Sequence, residues 1–309
     1  LYYDTTSKEI KYGAASGGSG GTSLAHSNLA LKSNTTGTGS IITTGSIALG
    51  AHAFAAVTSG FIAGSNAIAI GIGAGQTNLH ASAIAIGVTA GNRTQSAHAI
   101  AIGTKAGNDI QGQSSIAIGN EAGEFGQADK SIAMGYYSGQ TGQGTSSVAI
   151  GDRAGNSKQA AYATAIGHYA GSSGQGSNAT AIGSQAGQSF QLRDSVAIGT
   201  FAGMSGQGEY SVAIGHYAAG NKADGKNQDT KSVAIGNYAG YENQASETVG
   251  LGNNAGKVNQ GQYSVAIGST AGEQNQGSYS MAFGYKAALS GQGQYCLAMG
   301  REAGAQNQS

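Results

Sequence analysis

The sequence predicts an all-β fold, a parallel β-roll (β-solenoid) of stacked coils of about 16 residues each, and three observations point to it. The first is a glycine spacing. An Ala-Ile-Gly triplet or a close variant recurs with its glycine at Gly50, Gly71, Gly87, Gly103, Gly119, Gly135, Gly151, Gly167, Gly183, Gly199, Gly215, Gly236, Gly252, Gly268, Gly284 and Gly300. Of the fifteen intervals, thirteen are 16 residues and two, Gly50 to Gly71 and Gly215 to Gly236, are 21. A period held that tightly marks one small unit stacked on itself, which grows in one dimension without dividing into separate cores. The second is alternation. With the anchor glycine as position zero, positions −3 and −1 are apolar almost throughout, as in Ile116 and Ile118 or Val196 and Ile198. Position −2 is Ala in fifteen of the sixteen units, with Gly250 the exception, and position −4 is Ser, Ala, Thr or Cys. A period of two is that of a strand, and apolar segments this short between glycines leave no room for a helix. The third is composition: 55 glycines, no Pro, no Trp and 10% charged residues. Glycine at that level without a Gly-X-Y triplet excludes collagen, and the strict apolar placement argues against disorder.

Taken in order, residues 1–13 lie outside the repeat. Leu1-Tyr2-Tyr3 and Glu9-Ile10-Lys11-Tyr12 are β-prone runs around the polar Asp4-Thr5-Thr6-Ser7, a hairpin pattern. Residues 14–23 have the Gly/Ser composition of a linker. Residues 24–45 read as degenerate capping coils, in which Leu29-Ala30-Leu31 imitates the strand but Lys32 stands where the glycine should be. The β-roll then occupies 46–309. A chain that opens on Leu1 without Met or a signal peptide is expected to be a mature product or a fragment.

Within a coil each slot has a requirement. The glycines at 0 and in the Ala-Gly pair at +3 and +4 suit corners that need positive φ or close backbone approach. Position +8 carries a column of glutamines: Gln95, Gln111, Gln127, Gln143, Gln159, Gln175, Gln191, Gln207, Gln228, Gln244, Gln260, Gln276, Gln292 and Gln308, with Gln228 placed eight residues before Gly236. Stacked ~4.8 Å apart, they are expected to form a structural amide ladder, each donating to and accepting from its neighbours. The branched residues at −3 and −1 are expected to fill the roll. The small residues at −2 and −4 are then left as a flat Ala/Ser strip on which copies of the chain approach one another closely.

Composition excludes several functions. The formal net charge is zero, so no electrostatic footprint for nucleic acid or an anionic membrane is present. No run of ~18 apolar residues exists to form a membrane-spanning helix. The lone Cys296 sits in slot −4 and is expected to be a small buried side chain. The six histidines show no metal-ligand spacing; His168 and His216 share slot +1 but stand three coils, ~14 Å, apart. No Ser/His/Asp set or carboxylate pair emerges, and a uniform repeat offers no chemically distinct pocket, so neither an enzyme nor a cofactor is expected. An ice- or mineral-binding solenoid would need a regular Thr array, which slot +2, with Thr89, Lys105, Glu121, Tyr137, Arg153 and Tyr169, does not provide.

The units Ser147-Val148-Ala149-Ile150-Gly151 and Ser264-Val265-Ala266-Ile267-Gly268 resemble the head repeats of trimeric autotransporter adhesins. That resemblance covers residues 46–309 and implies a left-handed parallel β-roll with three chains around one axis, hence a homotrimer. The 16-residue Ala-Gly-x-x-x-Gln-Gly version departs from the shorter adhesin repeat and is similar to fibre proteins of phages and large DNA viruses, as is the opening segment. The function expected is a non-enzymatic extracellular or virion-surface fibre for host attachment, binding a host surface glycan or protein. A rod or spacer without a ligand is the alternative, and a bacterial adhesin head the alternative origin.

Recognition is sought in the slots that vary. Slot +2 carries Tyr137, Tyr169, Phe201, Tyr217 and Tyr238, and slot −5 carries Tyr162, Tyr210, Tyr263, Tyr279 and Tyr295. Stacked aromatics suit sugar faces or a partner protein; they equally suit support of the turns by cross-strand contact. The longer second interval places Asn221, Lys222, Asp224 and Lys226 in a protruding loop, either a receptor contact or a tolerated insertion. Sequons at Asn34, Asn92, Asn178 and Asn307 matter only in a glycosylating pathway.

Overall fold

The computed structural model describes residues 2–4, 9–11, 45–54, 64–220 and 228–308, and all the regular structure among them is β. Sixteen three-residue strands, from Ile47–Leu49 to Leu297–Met299, form one parallel sheet in the order of the sequence. The register is that of the repeat, each residue opposite its counterpart one coil on: Ile132 pairs with Val148, Ala133 with Ala149 and Met134 with Ile150. Both long intervals keep this register, since Ile47 pairs directly with Ile68 and Val212 with Val233. The fold is thus the β-solenoid that the glycine spacing predicts.

The return limb at +6 to +8 makes a second stack. Asp109–Gln111, Phe125–Gln127 and Thr141–Gln143 form a three-stranded sheet, and Glu242–Gln244 to Gln306–Gln308 a five-stranded one. Single bridges such as Ser157↔Ser173 and Gln207↔Gln228 run between them. At the amino end, Tyr2–Asp4 pairs antiparallel with Glu9–Lys11. The expected linker and capping coils fall on residues that, up to 44, lie outside those described.

The two faces of the main sheet are reversed from the sequence expectation. Alanine at −2 points inward: Ala117, Ala133, Ala149 and Ala181 have no exposed surface, as does Ser at −4 in Ser115, Ser131 and Ser147. The branched residues point outward, with Ile102 and Ile198 36% exposed and Ile150 37%. The reason is the width of the coil. A Cβ added to Gly187 would stand 2.5 Å from the Gln191 Oε1 and 3.2 Å from the Cβ of Ala181, so Ala and the glutamine head already fill the section. Cys296 also departs from expectation: it is only partly buried, just before the edge strand Leu297–Met299.

The glutamine column is buried, and its main bonds are to backbone. The Nε2 of Gln175 donates to the Thr164 carbonyl of its own coil at 2.8 Å and to the Ala179 carbonyl of the next at 3.2 Å. Amide-to-amide rungs exist but are interrupted: Gln143 to Gln159, Gln159 to Gln175, Gln175 to Gln191, Gln207 to Gln228, Gln244 to Gln260 and Gln276 to Gln292, at 3.1–3.3 Å. The amide ladder is therefore secondary to a clamp that ties the limb bearing the glutamine to the strand ends of two coils. Gln308 continues the backbone register opposite Gln292. In slot −4 the hydroxyl turns back on its own corner, as when Ser115 Oγ donates to the Gly112 carbonyl at 2.7 Å.

Glycine is required at the anchor. Gly119 has φ +130°, and a Cβ there would come within 2.5 Å of the Gly135 carbonyl oxygen in the next coil. Other corners use left-handed backbone without glycine, at +2 (Tyr217, φ 55°) and −5 (Tyr263, φ 59°). Each such residue costs roughly 1–2 kcal/mol relative to ordinary backbone.

Two outcomes test this interior. Ala181→Leu is expected to destabilise the roll by about 1–3 kcal/mol through overpacking; an unchanged melting curve by circular dichroism would return the branched side chains to the core. Gln175→Glu sets a carboxylate against carbonyl oxygens, which raises its folded pKa above the ordinary Glu value of ~4.3. Its penalty is then absent at or below that value and grows as the pH rises. Relative to the parent, its melting temperature should fall steadily from about pH 4 to pH 7.

Candidate functional site

Left-handed backbone at +2 turns each side chain outward at one corner, and in-register stacking sets it beside the same slot of the next coil. Phe201, Tyr217 and Tyr238 become a continuous stack: ring centroids lie 4.6 and 5.2 Å apart with interplanar angles of 14° and 10°. Tyr241 closes it edge-on, 5.9 Å from Tyr217 and 5.0 Å from Tyr238, and Lys257 Nζ stands 5.7 Å over Tyr238. Both faces of Tyr217 are therefore occupied by protein. Only the ring edges remain, which removes this residue as a platform for a sugar.

Tyr137 and Tyr169 are separated by one coil, and the guanidinium of Arg153 fills the gap. Its Cζ lies 5.6 Å from the Tyr137 centroid and 5.2 Å from that of Tyr169. Tyr137 also meets Tyr136 at 4.2 Å, edge to face. Its phenol is pushed up to about 12, first by the hydrogen bond with Tyr136 and then by that with Glu121. Burial pushes the Glu121 carboxyl up, but hydrogen bonds from Lys105 and Tyr137 outweigh it and leave the group below its usual range. Lys105 in turn is raised, chiefly by its hydrogen bond to Glu121 at 3.2 Å.

Slot −5 repeats the pattern on another corner. Tyr263, Tyr279 and Tyr295 stack at 4.9 and 5.2 Å. Tyr210 instead lies under Arg193 at 5.1 Å, and Tyr162 is exposed. Charges follow the same one-coil rule: Arg93 pairs with Asp109 at 3.0 Å, Arg193 with Glu209 at 3.0 Å and Lys231 with Glu247 at 3.7 Å. Such exposed pairs align coils more than they stabilise them.

Asn221, Lys222, Asp224 and Lys226 lie outside the described residues. Residues 221–227, between Gly220 and Gln228, and residues 55–63 of the first long interval, between Phe54 and Gly64, all fall outside those described. Neither interrupts the main sheet. Among the described residues no group of three His, Cys, Asp or Glu could hold a metal ion, and no helix is long and apolar enough to cross a membrane.

Two surfaces were not anticipated from the sequence. One is the outward Ile/Val face of the main sheet, in which none of the sixteen strands carries a charged residue. The other is slot +1, where Tyr136 and Tyr285 are exposed; the doublet Tyr136-Tyr137 was its visible signal. Compared with known proteins, the chain matches no family model and no curated sequence.

If the slot +2 stack supports the corners, Tyr217→Ala will lower stability by about 1–2 kcal/mol beyond what an isolated surface tyrosine costs. Chemical denaturation measures this; equal effects of Tyr217→Ala and Tyr162→Ala would mean that the stack contributes nothing.

Proposed function

We propose that the chain is the β-roll of a non-enzymatic surface fibre that self-associates through its main sheet and serves host attachment through its corners. The observation that carries this reading is the outward Ile/Val face. It runs over sixteen strands, ~72 Å at 4.8 Å per strand, with no charged residue and with its register kept across both long intervals. An uncharged strip of that length, apolar except at Thr164 and Thr180, marks an interaction surface. Because the face repeats in register along the rod, a second copy of the same chain meets it with matching periodicity. The interface expected on the Ala/Ser strip is thus moved to the opposite side of the same strands, since that strip is the core. Three copies around one axis is the arrangement that the adhesin-head resemblance suggests.

A rod without a ligand is the second reading, favoured by the Phe201–Tyr217–Tyr238 stack, whose ring faces are spent on one another. Outward-facing Ile182 and Ile198 test the association. Sedimentation equilibrium at micromolar concentration is expected to give a multiple of the 30.4 kDa chain mass, and the double variant Ile182→Lys, Ile198→Lys to shift it toward that mass with an unchanged circular dichroism spectrum. A folded parent monomer under these conditions would sink the fibre interface. Binding of the parent assembly to intact cells separates attachment from the bare rod.

A further inference from the structure

The outward face of the main sheet repeats every ~4.8 Å, and that period alone does not say how two copies lie along each other. Its strip is ~72 Å long and ~10 Å wide, three residues at ~3.3 Å of rise, or ~700 Å² on each copy. A facing pair buries about 1,400 Å², within the ~1,200–2,000 Å² of stable protein interfaces. Displacing one copy by a single coil still leaves fifteen of the sixteen strands covered. Ile and Val recur at −3 and −1 in most strands, so apolar contact changes little from one stagger to the next.

Two strands break that uniformity with a polar side chain. Thr164 and Thr180 stand at −3 in Thr164–Ile166 and Thr180–Ile182, the eighth and ninth of the sixteen, where they are partners in register. Their hydrogen bonds are made by the backbone: the Thr164 carbonyl accepts from Gln175 at 2.8 Å and the Thr180 carbonyl from Gln191 at 2.9 Å. The Thr164 and Thr180 N–H groups donate to the carbonyls of Ala179 and Ser195. Neither hydroxyl has a hydrogen-bonding partner among the described residues, not even the other threonine. Thr89, Thr248 and Thr270, in contrast, turn theirs back on nearby carbonyls. Val148 and Val196 fill the same slot in the coils on either side, so the roll itself asks only for a branched side chain.

A seam that closes over a hydroxyl takes its water away, and the hydroxyl must then find a partner in the facing copy. Where −3 columns face each other, zero stagger sets threonine against threonine, whether the copies run the same way or in opposite directions. A stagger of one coil leaves one threonine of each copy against an aliphatic side chain, and two coils or more leave both. A lone polar position sets register in coiled-coil seams by the same means.

We propose that Thr164 and Thr180 set the register of self-association. Copies of this chain meet through their −3 columns with zero stagger, the threonine pair of one hydrogen-bonded to the threonine pair of the next. The assembly is then closed at a fixed overlap instead of growing as a staggered filament. This inference rests on the association reading above and names the residues that make it specific.

Subunit exchange followed by native mass spectrometry tests it, with isotope-labelled parent chain mixed with two unlabelled variants. The first, Thr164→Val with Thr180→Val, removes both hydroxyls. The second adds Val212→Thr and Val233→Thr, partners in adjacent strands, and so moves the pair three coils along. Every swap keeps a branched side chain, so circular dichroism should be unchanged. Labelled and unlabelled parent give the statistical reference. Both variants are expected to self-associate, and each to form mixed complexes with the parent at least about tenfold less often than that reference, because hydroxyls are left unmet. Statistical mixing of the parent with either variant overturns the register assignment and leaves the association standing. A parent that is monomeric at micromolar concentration removes the association, and the register with it.

Discussion

The section of one coil is narrow, and from Gln95 onward a buried glutamine amide takes the place that the apolar Leu79 holds one coil earlier. Its stem passes under the Ala-Gly corner, and its head ties the strand carbonyl of its own coil to the strand start of the next, as Gln175 does to Thr164 and Ala179. An unmade hydrogen bond at a buried carbonyl costs about 1–3 kcal/mol. The same amide in each coil from Gln95 onward therefore fixes the distance between the two limbs and the register between neighbouring coils. The glycine at +4 belongs to this device: at Gly139 a Cβ would press on the Gln143 Oε1 at 2.8 Å. The recurrence of Ala-Gly four residues before Gln is one packing unit read twice.

Much of this was legible in the sequence. The strand positions, the coil length and the parallel register follow from spacing alone. What spacing does not decide is which side of a strand faces inward. Alternation defines two faces, and the rule that branched side chains belong in a core assigned them the wrong way round here. Ile150 and Ile198 lie outside because Ala149 and Ala197 with one glutamine head fill the section. The two-to-one count of large to small residues in most strands describes the outer surface, not what the interior contains.

The corners show how a uniform frame carries variable side chains. Left-handed backbone at +2 and −5 is steric strain for tyrosine or phenylalanine, yet Tyr217 and Tyr263 adopt it, as does every described aromatic in those slots. Stacking on the same slot of the next coil offsets part of that strain where aromatics follow one another, as in Phe201, Tyr217 and Tyr238. Where the series is broken, a guanidinium or an ion pair stands in, as Arg153 does between Tyr137 and Tyr169. Identity at these slots is therefore constrained mainly by the neighbour one coil away, which leaves freedom to vary in blocks.

Direct pairing of Ile47 with Ile68 and of Val212 with Val233 across 21 residues has a consequence for how such a molecule changes in length. Gain or loss of whole 16-residue units moves the two ends by multiples of one strand spacing and leaves every other contact as it was. Any other number must be absorbed outside the strands, since both 21-residue intervals keep the strand register. The rod is in this sense a ruler graduated in coils. Duplication or deletion of a single unit changes its reach by ~4.8 Å without asking the rest of the chain to refold around it.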